Sequence, residues 1–152
     1  MKLVVQRVRR ASVSVDGKRI AEIGPGLLVL VGVAHGDTAF DAAYLAKKTA
    51  KLRVFEDDAG KMNRSVVEVG GEILSVSQFT LYGDCTKGNR PSFIGAARPE
   101  EGEARFNEYV QALEALGFPP QTGEFGADMK VELLNDGPVT LLLESGGRNK
   151  AG

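Results

Sequence analysis

The sequence predicts an α+β arrangement within the broad α/β class: a mainly antiparallel or mixed β-sheet with two main helices packed against it. Three observations lead there. Apolar runs with strand periodicity recur along the chain, several of them bounded by Asp-Gly or Gly-Pro turn signals. Only two stretches, one opening at Asp37 or Thr38 and one at Pro99, carry apolar residues at helical spacing. Neither a low-complexity block nor a repeat of roughly 20–50 residues is present. With 152 residues, the chain is expected to form a single domain over residues 1–146, with a flexible tail over 147–152. A chain of this size buries about 70% of its unfolded surface, enough for a substantial core.

Taken in order, Leu3 to Val15 alternate, Asp16-Gly17 turns the chain, and Arg19 to Ile23 return as a second strand. Gly24-Pro25-Gly26 punctuates. Leu27 to Val33 is a continuous apolar run, the pattern of a strand covered on both faces. Asp37 or Thr38 caps a helix to about Leu52, with Ala42, Leu45, Ala46, Thr49 and Leu52 as its buried stripe. Val54-Phe55 reads as a short strand, residues 57–60 as a turn and 61–65 as a loop. Glu72 to Leu81 is the next expected strand, with Leu74, Val76, Gln78 and Thr80 on one face. Tyr82 to Arg98 is a long polar loop, and loops of this length in compact domains are usually functional or disordered. Pro99 opens a helix with stripe Phe106, Tyr109, Val110, Leu113 and Leu116, stopped by Gly117 and Pro119-Pro120. Residues 121–128 read as irregular, and Met129 to Leu134 as a strand entering the turn Asn135-Asp136-Gly137-Pro138-Val139-Thr140. Asp-Gly alone favours a tight hairpin. Pro138 donates no N–H and restricts Gly137, so the turn is either a solvent-facing hairpin connector or a built device.

Composition narrows the function. Apolar content is 43% and charged content 26%, ordinary for a soluble globular protein. No apolar run reaches the ~20 residues of a membrane span, and Arg7, Arg9 and Arg10 interrupt any signal peptide. One cysteine excludes an internal disulfide, there is no zinc pattern, and the cytoplasm is the expected compartment. A net charge of −1 argues against gripping long nucleic acids by phosphate neutralisation alone, and leaves recognition of a short end open.

The chemistry available is sparse. His35 and Cys85 are single, and nothing brings them together as a nucleophilic pair. Gly24-Pro25-Gly26 is too short for a phosphate loop, and its proline removes a needed N–H. Two places remain: Ser77-Gln78-Phe79-Thr80 and the 135–140 turn. Neither carries a strong acid–base group, so an enzyme built on them would use backbone dipoles, hydroxyls or the substrate's own groups.

Several motifs, in this order, carry a resemblance to a known family. They are Gln6-Arg7-Val8, Ala11-Ser12-Val13, Gly26-Leu27-Leu28-Val29-Leu30 and Gly60-Lys61-Met62-Asn63, followed by Ser77-Gln78-Phe79-Thr80-Leu81 and Arg90-Pro91-Ser92-Phe93. Thr122-Gly123 with Phe125, Ala127-Asp128-Met129 and Asn135 through Thr140 complete the set. The chain resembles the D-aminoacyl-tRNA deacylase family over nearly its full length.

The resemblance implies a proofreading hydrolase that cleaves the ester between a D-amino acid and the 3′-terminal adenosine of tRNA. It implies a homodimer. No cofactor, metal ligand or membrane partner is expected from the residues themselves, and whether a metal affects activity is left open. By the same carry-over, Ser77, Gln78, Phe79 and Thr80 line the catalytic pocket, with Phe79 and Thr80 near the scissile ester. Gly137-Pro138 is implied to be cis and to enter the partner subunit's active site, where it rejects L-substrates. Arg7 steadies that loop and Met129 sits at the pocket wall. Two hands of an amino acid share every attractive group, so the site must repel one of them. Glycine has a hydrogen on either side, and glycyl-tRNA, including glycine mischarged on tRNA(Ala), is therefore an expected substrate. Substrate assistance by the free hydroxyl of the terminal ribose is the expected mechanism; a covalent Thr80 would need a base that the sequence does not reveal. The alternative function is a non-catalytic module that binds tRNA ends or D-amino acid derivatives.

Overall fold

The computed structural model describes residues 1–146, and the tail expected at 147–152 lies outside the described residues. Strand β1 (Lys2–Val15) organises the sheet. Strands β2 (Lys18–Ile23) and β3 (Gly26–Gly32) share one of its edges, β2 pairing with Ala11 to Val15 and β3 with Lys2 to Val8, both antiparallel. The Asp16-Gly17 turn between β1 and β2 places both residues at positive φ, +50° and +76°, as a tight hairpin requires.

Beyond β3 the pairing becomes parallel, through β6 (Glu72–Ser77) to β7 (Gln121–Thr122). Residues 121 and 122, read from sequence as irregular, thus form a short strand. The other edge of β1 is taken along its whole length by β8 (Lys130–Glu144). The sheet is mixed, in the order β2-β1-β3-β6-β7 with β8 beside β1. A separate small hairpin joins β4 (Phe55–Glu56) to β5 (Met62–Arg64). Part of the expected 61–65 loop is therefore strand. Asp57 organises it, its carboxylate accepting from the N–H groups of Ala59 and Lys61 at 2.9 and 3.0 Å.

Helix α1 (Ala39–Lys51) begins as expected at Thr38, whose N–H donates to the Asp41 carboxylate at 2.8 Å. Asp41 also accepts the Ser145 hydroxyl, and the adjacent Asp37 pairs with the amino group of Met1 at 2.7 Å. These bonds tie the start of α1 to both ends of the described chain. Helix α2 (Pro99–Ala115) opens on Pro99 with Glu100 and Glu101 in its first turn. Phe106, Tyr109 and Leu113 are buried, but Leu116 is exposed: it lies one residue past the helix, where the chain turns through Gly117 at φ +93°.

The core lies on both faces of β3. Leu27, Val29 and Val31 face α1 and α2, packing with Ala42, Leu45, Phe106, Tyr109 and Leu113. Leu28 faces the other way, with Val8, Val13, Ile23, Leu74 and Val76. The continuous apolar run is thus covered on both sides, as its pattern demands. Between the helices the fully buried Tyr109 hydroxyl lies 3.3 Å from Thr49 Oγ1, and burial pushes its pKa up to about 12. The second cluster, on the face away from the helices, leads along Leu74 and Val76 to the site.

Candidate active site

The expected strand through Leu81 ends earlier. The last parallel rung joins Val31 to Ser77, and the Gln78 N–H still donates to the Val31 carbonyl at 2.8 Å. Strand β3 then stops at Gly32, leaving nothing to pair with, and the chain winds into a 3-10 turn, Phe79–Tyr82. Gly32 permits this: a Cβ there would lie 2.9 Å from Leu81 Cβ and 3.3 Å from the Tyr82 ring. Thr80 consequently leaves the face it was expected to share with Leu74 and Val76. The first bond of the turn runs from Leu81 N–H to the Gln78 carbonyl, so the N–H groups of Phe79 and Thr80 precede it and have no partner within the turn. The Gln78 amide donates to Thr80 Oγ1 at 3.1 Å, and Phe79, 58% exposed, packs edge-to-face on Phe93 at 5.1 Å.

This turn forms one wall of a cavity of about 870 Å³, large for a small-molecule site. Ser77 to Thr80 line one side, Phe93 and Ala96 to Pro99 with Gly102 the second, and Phe125 to Met129 with Val131 the third; Val33 and Val76 also contribute. The lining is mostly apolar. Its polar groups are the Ser77 and Thr80 hydroxyls, the Gln78 amide, Arg98 and Asp128, and Asp128 is ion-paired with Lys130 at 3.1 Å. The expected sites at Ser77, Gln78, Phe79, Thr80 and Met129 therefore meet in one cavity. His35 is exposed against Glu101 at 3.5 Å, Cys85 is free and exposed, and neither lines the cavity. Among the described residues there is no group of three or more His, Cys, Asp or Glu that could hold a metal.

The 135–140 segment is not a hairpin. Both flanking apolar runs belong to β8 and pair with the same strand: Leu133 with Ala11, Leu134 with Arg10, Thr140 with Gln6 and Leu141 with Val5. Between the pairs Val8–Asn135 and Gln6–Thr140, the single residue Arg7 faces four residues of β8, Asp136 to Val139. These four are extruded because Pro138 cannot donate to a ladder and Gly137 has φ +140°, while the runs on either side find partners on β1.

The excursion is firmly framed. Asn135 closes it, its side-chain amide donating to the Arg7 and Val139 carbonyls at 3.2 and 3.0 Å while its oxygen accepts the Val139 N–H at 3.1 Å. Arg7, 8% exposed, donates to the Asp136 carbonyl at 3.0 Å and to the Val54 carbonyl at 2.6 Å. The Gly137-Pro138 peptide is cis, and both residues are exposed. Neither lines the cavity of its own chain, so Arg7, Gly137 and Pro138 form a second, separate element.

Other cavity residues were not singled out as site residues from sequence, notably Arg98, Gly102, Phe93, Phe125 and Asp128. Three of these had a signal: Phe93, Phe125 and Asp128 belong to the motifs that carry the family resemblance. Arg98 had a weaker one, as the end of the long polar loop, while Gly102 had none, since the chain gives no reason to bring the start of α2 beside Phe125.

The chain is similar to known proteins over nearly its whole length. A family model described as D-Tyr-tRNA(Tyr) deacylase matches residues 4–144. A D-aminoacyl-tRNA deacylase of Chloroherpeton thalassium is 61% identical over 95% of this chain and 96% of its own. A Geobacillus protein of the same name is 56% identical over 100% of this chain and 99% of its own. A solved structure described as a c-Myc DNA unwinding element binding protein superposes with a TM-score of 0.89, at 45% identity, covering 95% of this chain and 99% of the other. With a family model matched over residues 4–144 and relatives more than half identical over nearly the whole of both chains, the chain belongs to the D-aminoacyl-tRNA deacylase family.

Proposed function

We propose that this protein hydrolyses the ester of D-aminoacyl-tRNA, releasing tRNA and the D-amino acid, and spares the L-ester. The observation that carries the reading is the pairing of an apolar, base-poor cavity with an exposed, rigidly framed Gly137-Pro138 loop that lies outside it. In this reading the loop of one subunit enters the cavity of its partner and rejects L-substrates by steric conflict. Exposed apolar side chains on β8 support a homodimer: Leu133, Leu134, Leu141 and Leu142 are all exposed, Leu142 by 66%. Strand β8 is long and pairs only with β1 among the described residues, and an uncovered edge of this kind is a template on which another chain can pack.

The chemistry follows from what the cavity lacks. The Thr80 hydroxyl accepts from an amide that cannot take its proton, and the one lining carboxylate, Asp128, is turned to solvent against Lys130 and makes no hydrogen bond to Thr80. That favours activation of water by the hydroxyl next to the ester on the terminal ribose. The free N–H groups of Phe79 and Thr80 then serve the oxyanion, a contribution of about 3–4 kcal/mol per donor in other acyl-transfer sites. Glycyl-tRNA, including glycine mischarged on tRNA(Ala), passes the same filter and is hydrolysed.

The test compares D-tyrosyl-tRNA, L-tyrosyl-tRNA and a free D-tyrosine ester. Editing predicts rapid cleavage of the first alone. Cleavage of all three marks a general esterase, and binding without cleavage a tRNA-end module; either outcome sinks the proposal.

A further inference from the structure

Residues 84–92 form a closed lobe beside the cavity. Asp84 and Ser92 exchange both backbone hydrogen bonds, at 2.7 and 2.8 Å, and the Asp84 carboxylate accepts the N–H and hydroxyl of Thr86 at 2.9 and 2.7 Å. Next to the lobe stands Phe93, which lines the cavity and packs on Phe79. Lys87 and Arg90 are exposed in the lobe, and Arg98 lies on the cavity lining where α2 begins.

The rim carries a local excess of positive charge beside the cavity. Residues 82–98 carry three cations against one carboxylate, in a protein of net charge −1. That carboxylate is taken up by Thr86, and none of the three cations is ion-paired among the described residues. Unpaired cations on an ordered lobe beside a cavity draw in a polyanion and hold its strand in register. An amino acid ester by itself offers them nothing; the phosphates leading up to it do.

We infer that Lys87, Arg90 and Arg98 bind the backbone phosphates of the RNA whose esterified end enters the cavity. The inference rests on the deacylase reading and assigns tRNA recognition to the same subunit that supplies the cavity. Phosphate contacts of this kind make kcat/KM fall with salt, by about 0.7–0.9 in log–log slope for each contact.

The test measures hydrolysis of D-tyrosyl-tRNA and of D-tyrosyl-adenosine, which has the ester and the base but no phosphate, from about 50 to 200 mM salt. The unaltered protein is compared with the double variant Lys87→Ala/Arg90→Ala and with Lys47→Ala/Lys51→Ala, which removes equal charge from α1. Expected for the lobe variant is a higher KM on tRNA, a salt slope flatter by about 1.5, and unchanged hydrolysis of D-tyrosyl-adenosine. The α1 variant keeps the original slope. The inference is overturned if the tRNA slope does not move, if both substrates slow alike, or if the α1 variant flattens the slope as much. Failure of the unaltered protein to cleave either substrate would overturn the deacylase reading and this inference with it.

Discussion

Replacing Gly137 by alanine isolates the proposed filter. Gly137 sits at φ +140°, and an added Cβ would lie 2.8 Å from Val139 Cγ2, 3.0 Å from the Val139 nitrogen and 3.1 Å from Arg7 Nη2. None of these yields easily. Val139 is 7% exposed and bonded to Asn135, and Arg7 is fixed by the carbonyls of Asp136 and Val54. Holding a side chain at such a φ costs about 1–3 kcal/mol. With the close contacts, a loss near 2 kcal/mol lowers Tm by about 4–8 °C for a chain of this size. The alternative for the chain is to move the loop, and a displacement of about 1 Å in a site is enough to change rates by about a hundredfold. Gly137→Ala should therefore raise the ratio of L- to D-tyrosyl-tRNA hydrolysis by about that factor. Thermal unfolding and parallel D and L deacylation assays measure both effects. A lower Tm with an unchanged L-to-D ratio would refute the filter and leave the loop a structural feature.

Three other outcomes follow from the same structure. Thr80→Ala should keep most of its kcat, because Thr80 has no base to activate it; complete loss in a folded variant would instead make Thr80 the nucleophile. Leu134→Asp combined with Leu142→Asp should sediment as a folded monomer that has lost chiral choice; a selective monomer would contradict a filter supplied by the partner. Asp41 supplies a pH signature. Burial opposes its ionisation, yet hydrogen bonds from Ser145 and Thr38 and the nearby amino terminus hold its carboxyl below the ordinary range. A depressed native pKa adds stability that is complete above the unfolded value of about 4 and is lost as pH falls through the native value. The Tm gap between the protein and Asp41→Asn should be constant above about pH 5 and close below about pH 4; a gap independent of pH would count against this role.

Much of this fold is legible in local pattern. The Thr38 cap, the Asp16-Gly17 turn and the Leu27–Val33 run each state a local conformation that tertiary packing accepts. What failed to read did so where a distant partner decides. Strand β6 stops at Ser77 because β3 ends opposite it, a fact written at Gly32 rather than near Thr80. The Asn135–Thr140 segment looks like a hairpin because turn chemistry is local, whereas the pairing of both its flanks with β1 is not. The site divides the same way. Ser77 to Thr80 and Met129 were named from motif resemblance, while Arg98 and Gly102 join the cavity only through the packing of α2.

The claim that the filter acts across the dimer has a direct test. One subunit carries Gly102→Phe, whose ring fills the cavity beside Phe125, and the other carries Gly137→Ala. Heterodimers are isolated through two different tags, and D- and L-tyrosyl-tRNA hydrolysis is measured. In these dimers the open cavity receives the intact loop of the other subunit. The account predicts D-specific hydrolysis at about half the unaltered rate, with L-tyrosyl-tRNA spared, which neither homodimer achieves. Hydrolysis of L-tyrosyl-tRNA at about half the level of the Gly137→Ala homodimer, the share of its single open cavity, would place the filter in its own chain and contradict the account.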